Sequence, residues 1–305
     1  MTEEQNRPST TSRLTFLALV AETLLAGGNG VAIRFSNREL APLWGAGLRF
    51  TLAAIVLVLL MLRLKLAVPR GKALVGAIGY GVIQFAGAFG FYYYALMEIH
   101  AGLGQTLLAF VPLVTVLLAT TQRQERLRPT ALVASIVGIA GIAIVSLDPW
   151  RPAPPLIPLL AVIASVLCFA QALVQIRRLR QLHPITLNTI GMVSGAIALM
   201  CASALLRESW VLPHRTETWV ALAYVVVAGS VTVFTLHVFI VHQWSASRAA
   251  YVMLLIPLVT IALSSWLDDE PLSAGLFVGC ALIVASVHFG ALRGNDRTAT
   301  FRLHR

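Results

Sequence analysis

Apolar runs long enough to cross a bilayer follow one another almost without pause, which leaves this chain few ways to fold. A helix needs roughly 20 apolar residues to span the hydrocarbon core. Ten such runs are predicted: Leu14–Ile33, Ala41–Leu62, Ala73–Leu96, Ala101–Thr120, Thr130–Leu147, Leu156–Ile176, Ile185–Leu206, Thr218–Val241, Ala246–Trp266 and Leu272–Leu292. Their connections are mostly short, so neighbouring helices should run antiparallel. Only 12% of residues are charged and 58% are hydrophobic, too few charges to cover a soluble protein of this size. A net charge of +10 could suggest nucleic acid, but the basic residues sit in short clusters between apolar runs. They form no stripe with stacking aromatics, so the partner is the lipid bilayer and not nucleic acid. The first run shows no clear cleavage site and is expected to stay as a helix.

One stretch occurs twice. Residues 112–127 read PLVTVLLATTQRQERL and residues 257–272 read PLVTIALSSWLDDEPL, identical at seven of sixteen positions and 145 residues apart. Each copy has an early proline and then a turn with a glutamate, Glu125 or Glu270. A repeat at nearly half the chain length predicts two copies of one membrane unit. The expected division is a tail at 1–13, a five-helix unit at 14–147, an outer linker at 148–155, a second unit at 156–292 and a basic tail at 293–305. The linker DPWRPAPP is too rich in proline for a helix.

Orientation follows from the positive charges. With the N-terminus inside, 17 Lys and Arg fall in inner segments and five in outer ones, leaving Arg49 within a helix. That asymmetry predicts both termini in the cytoplasm. With five helices per unit, the second copy must enter from the opposite side, so the repeat is expected to be inverted.

These features resemble the EamA-type drug/metabolite transporter superfamily. Its Arg-Phe in the second helix appears as Arg49-Phe50, and its asparagine after a small-residue turn as Asn29 in AGGNGVAIR. The passage YYYALMEIHAGLGQTLLAFVPLVTVLL is similar to its third-to-fourth helix segment, and the likeness runs from about Leu14 to Leu292. The family's tryptophan near the end of the first helix is replaced by Ala26-Gly27. Within the superfamily the chain is most similar to bacterial amino-acid and metabolite exporters, which implies small-molecule transport across the inner (plasma) membrane.

Glu22 lies near the middle of the first helix, where a charge costs roughly 2.5 to 3.5 kcal/mol on insertion scales. It is read either as a proton-coupling carboxylate or as a structural partner of Arg49. Arg49 in turn is a fixed ion-pair member or a ligand for a substrate carboxylate. His237 and His288 could carry protons or simply pack, histidine being the side chain that titrates nearest neutral pH. Neutral polar and aromatic residues at mid-depth are the binding candidates: Asn29, Tyr80, Gln84, Tyr92, Gln105, Gln171, Gln175, Tyr224 and Tyr251. They suit the ammonium and carboxylate of an amino acid between apolar walls, although hydrogen bonding between helices would select the same residues. Pro112 and Pro257 each remove a helix hydrogen bond and are candidate hinges. Cys168, Cys201 and Cys280 read as packing residues, and Trp44, Trp150, Trp210 and Trp219 as a headgroup belt.

No metal or hydrolytic constellation is visible, so neither enzyme chemistry nor a cofactor is expected. The reading is an all-α membrane protein of ten transmembrane helices in two inverted five-helix repeats. It would act as an alternating-access exporter of neutral amino acids, including aromatic ones and methionine, and one copy suffices as a monomer. A lipophilic-cation exporter is the alternative, with a non-transporting membrane protein more remote. Phosphate-bearing cargo would need several intramembrane cations, and only Arg49 is present.

Overall fold

The computed structural model describes residues 10–125, 129–146, 155–244, 249, 252–267 and 274–287. Among the described residues, seven helices are long and apolar enough to cross a membrane: α1 (Thr10–Asn37), α2 (Pro42–Arg63), α3 (Lys72–Ala95), α4 (Ala101–Thr121), α6 (Leu156–Arg178), α7 (Pro184–Leu205) and α8 (Thr216–Gln243). Three more are α5 (Pro129–Ser146), α9 (Val252–Leu267) and α10 (Ala274–Val287). Among the described residues there is no strand. Residues 1–9, the basic tail at 293–305, residues 148–154 (Trp150 among them), Tyr251, Glu270 and His288 lie outside the described residues, whereas residues 10–13 of the expected tail form the start of α1.

Helix ends follow ordinary capping chemistry. α2, α4 and α7 each close with a basic residue in the left-handed conformation, Lys65, Arg123 and Arg207 at φ 52°, 58° and 55°. The next amide then reaches back to Met61, Ala119 or Ser203, satisfying carbonyls that the helix leaves open. A positive side chain there also complements the helix dipole.

The helices pack mostly across the repeat boundary. α1 lies against α8 and α9, α2 against α7 and α8, α3 against α6 and α7, α4 against α6 and α9, and α5 against α10. Adding five to each number of the first unit, and subtracting five in the second, returns the same set of pairs. The packing therefore has two-fold pseudosymmetry, and neither unit holds a core of its own.

Two carboxylates fix the relative direction of the units. α2 starts with Pro42, whose missing N–H is harmless at that position. The next two amides, Leu43 and Trp44, donate to Glu208 Oε1 at 3.1 Å and Oε2 at 2.7 Å, and Glu208 belongs to the α7–α8 connection. Reciprocally, Glu39 in the α1–α2 connection accepts from His214 and Arg215 at the entry to α8, at 3.3 and 3.1 Å. Trp44 and Trp210 stack across this contact with ring centroids 5.0 Å apart, and Trp44 Nε1 donates to the Val211 carbonyl at 2.7 Å. These two rings are thus a clasp between units, a more specific role than the headgroup belt expected of them. α2 and α8 begin on this same face, whereas α3 begins on the opposite one, where α2 ends. α3 and α8, the third helices of their units, run in opposite directions.

The Thr218 hydroxyl, with the amides of Arg215 and His214, holds the Glu39 carboxyl below its ordinary pKa of 4.5. A depressed carboxylate adds stability that is complete above its unfolded pKa and disappears as pH falls through the folded value. Thermal unfolding in detergent should therefore show wild type losing more stability than Glu39→Gln between pH 5 and pH 3. Equal losses would show that the clasp carboxylate contributes nothing.

Candidate functional site

The third helix of each unit contains one widened turn. In α3 it covers Val82–Ala88 and in α8 Val227–Thr232, beginning 145 residues apart, the same offset that separates Pro112 from Pro257. Such π turns leave carbonyls without their usual partners and occur often at functional sites. In α8, Ser230 and Thr232 each donate a hydroxyl to the carbonyl five residues back, Val225 at 2.7 Å and Val227 at 3.0 Å. Each widened turn also receives a bond from the opposite unit. Ser165 on α6 donates to the Ala88 carbonyl at 2.8 Å, and Arg49 on α2 donates to the Gly229 carbonyl at 2.9 Å.

Arg49 is fully buried. Its Nε donates to Ser230 Oγ at 2.8 Å and its Nη2 to Asn29 Oδ1 at 3.3 Å, while the guanidinium carbon sits 4.9 and 4.8 Å from the Phe50 and Phe89 ring centroids. Oxygen dipoles on α1 and α8 and two aromatic faces replace part of its hydration, while Nη1 is buried without a hydrogen bond. Asn29 Nδ2 donates to the same Gly229 carbonyl at 3.4 Å. Position 229 must be glycine, since a Cβ there would overlap Asn29 Oδ1.

Glu22 is not the partner of Arg49. On α1 the residue level with Arg49 is Asn29, seven positions further along, which is about 10 Å of helix rise. Glu22 instead meets His237 of α8, with Oε1 and Nδ1 2.5 Å apart and side chains 3% and 6% exposed. Its other oxygen, Oε2, is buried without a hydrogen bond. The seam between α1 and α8 therefore holds two polar centres at different depths, each joining the two units.

The remaining candidates divide by partner. Tyr80 donates to Asn188 Oδ1 at 3.3 Å, and Asn188 in turn donates to the Phe234 carbonyl at 2.8 Å. Tyr92 donates to Gln105 Oε1 at 3.1 Å, joining α3 to α4. Gln171 accepts from Gln122 at 2.7 Å, and Gln175 donates to the Gly76 carbonyl at 3.0 Å, both towards the face opposite the clasp. Tyr224 donates to the Leu25 carbonyl at 2.7 Å, its ring lying over Gly28, where a Cβ would overlap the hydroxyl. Gln84 differs. It lies in the widened turn of α3, is only 4% exposed, and its amide has no hydrogen bond among the described residues.

The prolines are not equivalent locally. Pro112 follows a tight 3₁₀ turn at Leu108–Phe110 that interrupts α4, whereas Pro257 lies inside the continuous α9. Ser230, Gly229, Asn188 and Ser165 escape a search for charged or aromatic residues. The signal that could find two of them is the 145-residue offset, which maps Gln84-Phe85 onto Gly229-Ser230.

Comparison with curated proteins finds no match. A solved crystal structure superposes with a TM-score of 0.72 over 92% of this chain and 97% of that one, at 20% identity, a likeness of fold alone. The EamA-like transporter family matches residues 13–147 and again 156–289. With both matches together spanning most of the sequence, the chain belongs to the EamA-like transporter family.

Proposed function

We propose that the protein is an alternating-access exporter of neutral amino acids, including aromatic ones and methionine. It would work as a monomer in the bacterial inner membrane, with ten crossings and both termini in the cytoplasm. The family match makes it a membrane transporter of small molecules. The observation that carries the cargo class is the polarity of the seam. Within the described spans the sole arginine away from a helix end is Arg49, and its hydrogen bonds go to the protein's own oxygens. A phosphate calls for several intramembrane cations and the described spans offer Arg49 alone, whereas the Gln84 amide, without a hydrogen bond among the described residues, can both donate to a carboxylate and accept from an ammonium. Phe85, next to Gln84 in the widened turn, belongs to an aromatic cluster with Phe89, Phe169 and Phe234, which suits an apolar side chain. Glu22, the acid that would attract a lipophilic cation, is engaged by His237, which weighs against drug-cation cargo.

Tyr80, Tyr92, Gln105, Gln171, Gln175, Tyr224 and Tyr251 are the further candidates to line the path. Pro112 and Pro257 are the candidate hinges. The test is uptake of labelled methionine, phenylalanine and tyrosine into proteoliposomes. Saturable flux is expected, with Gln84→Ala raising KM about tenfold, the order expected for losing one good hydrogen bond to a charged group. Failure of every neutral amino acid to saturate a flux would overturn the cargo class, and ethidium flux in its place would favour the cation exporter.

A further inference from the structure

Resting on the transport reading above, we propose that the Glu22–His237 contact is the proton-binding site that couples transport to a proton gradient. Glu22 belongs to the first family match and His237 to the second, so the contact exists only while α1 and α8 are pressed together at this level. The 2.5 Å Oε1–Nδ1 contact is a hydrogen bond, and in the proposed cycle the closed seam holds one proton between the two groups, which leaves the pair with zero net charge. An isolated carboxylate here would be costly to desolvate, so parting the units requires either a proton on Glu22 or water around it. Glu22 Oε2, buried and without a hydrogen bond, is the atom free to receive a proton when the seam opens. With that second proton bound, Glu22 is a neutral acid and His237 an imidazolium. The close Oε1–Nδ1 contact with one shared proton re-forms only after the extra proton has left. One proton is thus taken up on one side and released on the other in each cycle, and no other reactant is consumed.

Among the described residues the surroundings offer no competing acid. The charged or titratable groups on the described helices around the seam include Arg34 on α1, Arg49 on α2, Tyr92 and Tyr93 on α3, Arg177 on α6, and Tyr224 and His242 on α8. Arg49 is held by Asn29, Ser230 and Gly229 about two helical turns from Glu22. Arg177 donates to the Val241 carbonyl, one turn beyond His237. α4, α7 and α9 carry no Asp, Glu, Lys, Arg or His among their described residues.

The experiment uses the full chain in proteoliposomes with labelled phenylalanine and an internal pH dye. Wild type should show two things: phenylalanine counterflow without a gradient, and proton movement in the opposite direction when phenylalanine is driven across. Glu22→Gln and His237→Gln should keep counterflow while losing both the dye signal and acceleration by an imposed pH gradient. Glu22→Asp, which retains the acid on a shorter arm, should keep a dye signal with a displaced pH profile. Counterflow in wild type with no dye signal and no response to the gradient overturns the coupling and leaves the transport reading intact. Retention of both signals in a folded Glu22→Gln or His237→Gln overturns it as well. Absence of counterflow for every neutral amino acid overturns the transport reading itself. The wild-type dye measurement decides the matter even where a substitution prevents folding.

Discussion

Arg49→Ala is expected to cost about 3 to 5 kcal/mol, as the sum of two orphaned acceptors and a residual cavity. The guanidinium is what satisfies Asn29 Oδ1, and it shares the Gly229 carbonyl only with the long Asn29 bond. Its removal leaves these oxygens buried in a region that lipid and packed helices keep dry. Phe50 and Phe89 lose the cation lying over their rings, and the space between them opens. Lysine should not rescue, because one ammonium cannot reproduce the fork that reaches Ser230, Asn29 and Gly229 together. Arg49→Met, which fills the volume without the charge, should recover part of the loss. Thermal unfolding in detergent, read with the monodisperse fraction after extraction, checks the order wild type, Met, Ala. An Ala variant as stable as wild type would mean that Arg49 serves substrate alone and that the cluster holds nothing together.

Gly81→Ala should be at least as damaging. α3 crosses α7 here with backbones in direct contact, and a Cβ on Gly81 would overlap the Gly191 carbonyl and Ser194 Oγ. A backbone obstacle cannot rotate away as a side chain can, so the two helices must separate. Gly195 faces the same crossing, where a Cβ would lie 2.8 Å from the Gly81 carbonyl oxygen. Overpacking in a tight core typically costs 1 to 3 kcal/mol, and this case should reach about 3 kcal/mol or more. Gly79→Ala supplies the control. Its Cβ would meet only the tip of Gln175, at 3.1 Å, and a flexible side chain can yield. Retention of the native melting temperature in both variants would refute the close crossing.

Most of the architecture could be read from the sequence because lipid imposes so few solutions. Apolar runs of the right length gave α1 to α4 and α6 to α8 within a few residues, since a span has little freedom beyond its ends. The duplicated Pro-Leu-Val-Thr stretch correctly implied two units. The individual contacts were less legible. Glu22 and Arg49 are the obvious ion pair by charge and proximity in sequence, yet α1 presents Asn29 at the arginine's level and turns Glu22 to a histidine 215 residues away. The widened turns defeat pattern reading for a different reason. Each inserts extra backbone into its helix, so a face traced from one end of α3 or α8 no longer matches the face at the other end. Trp44 and Trp210 looked like headgroup anchors because indoles favour that depth, and nothing local reveals that they stack on one another.

The cross-boundary packing has a consequence for how the protein is made. Arg49 and its partner Ser230 are separated by 181 residues. At about 5 to 20 residues per second, a ribosome needs roughly 10 to 40 seconds to close that interval. During it the arginine is already in or at the bilayer, and neither Ser230 nor the Gly229 carbonyl has yet been synthesised. Glu22 waits still longer for His237. The first five helices must therefore remain loosely associated, with their polar residues shielded by water, headgroups or an insertase, until α8 arrives and closes both centres within a span of nine residues, 229 to 237.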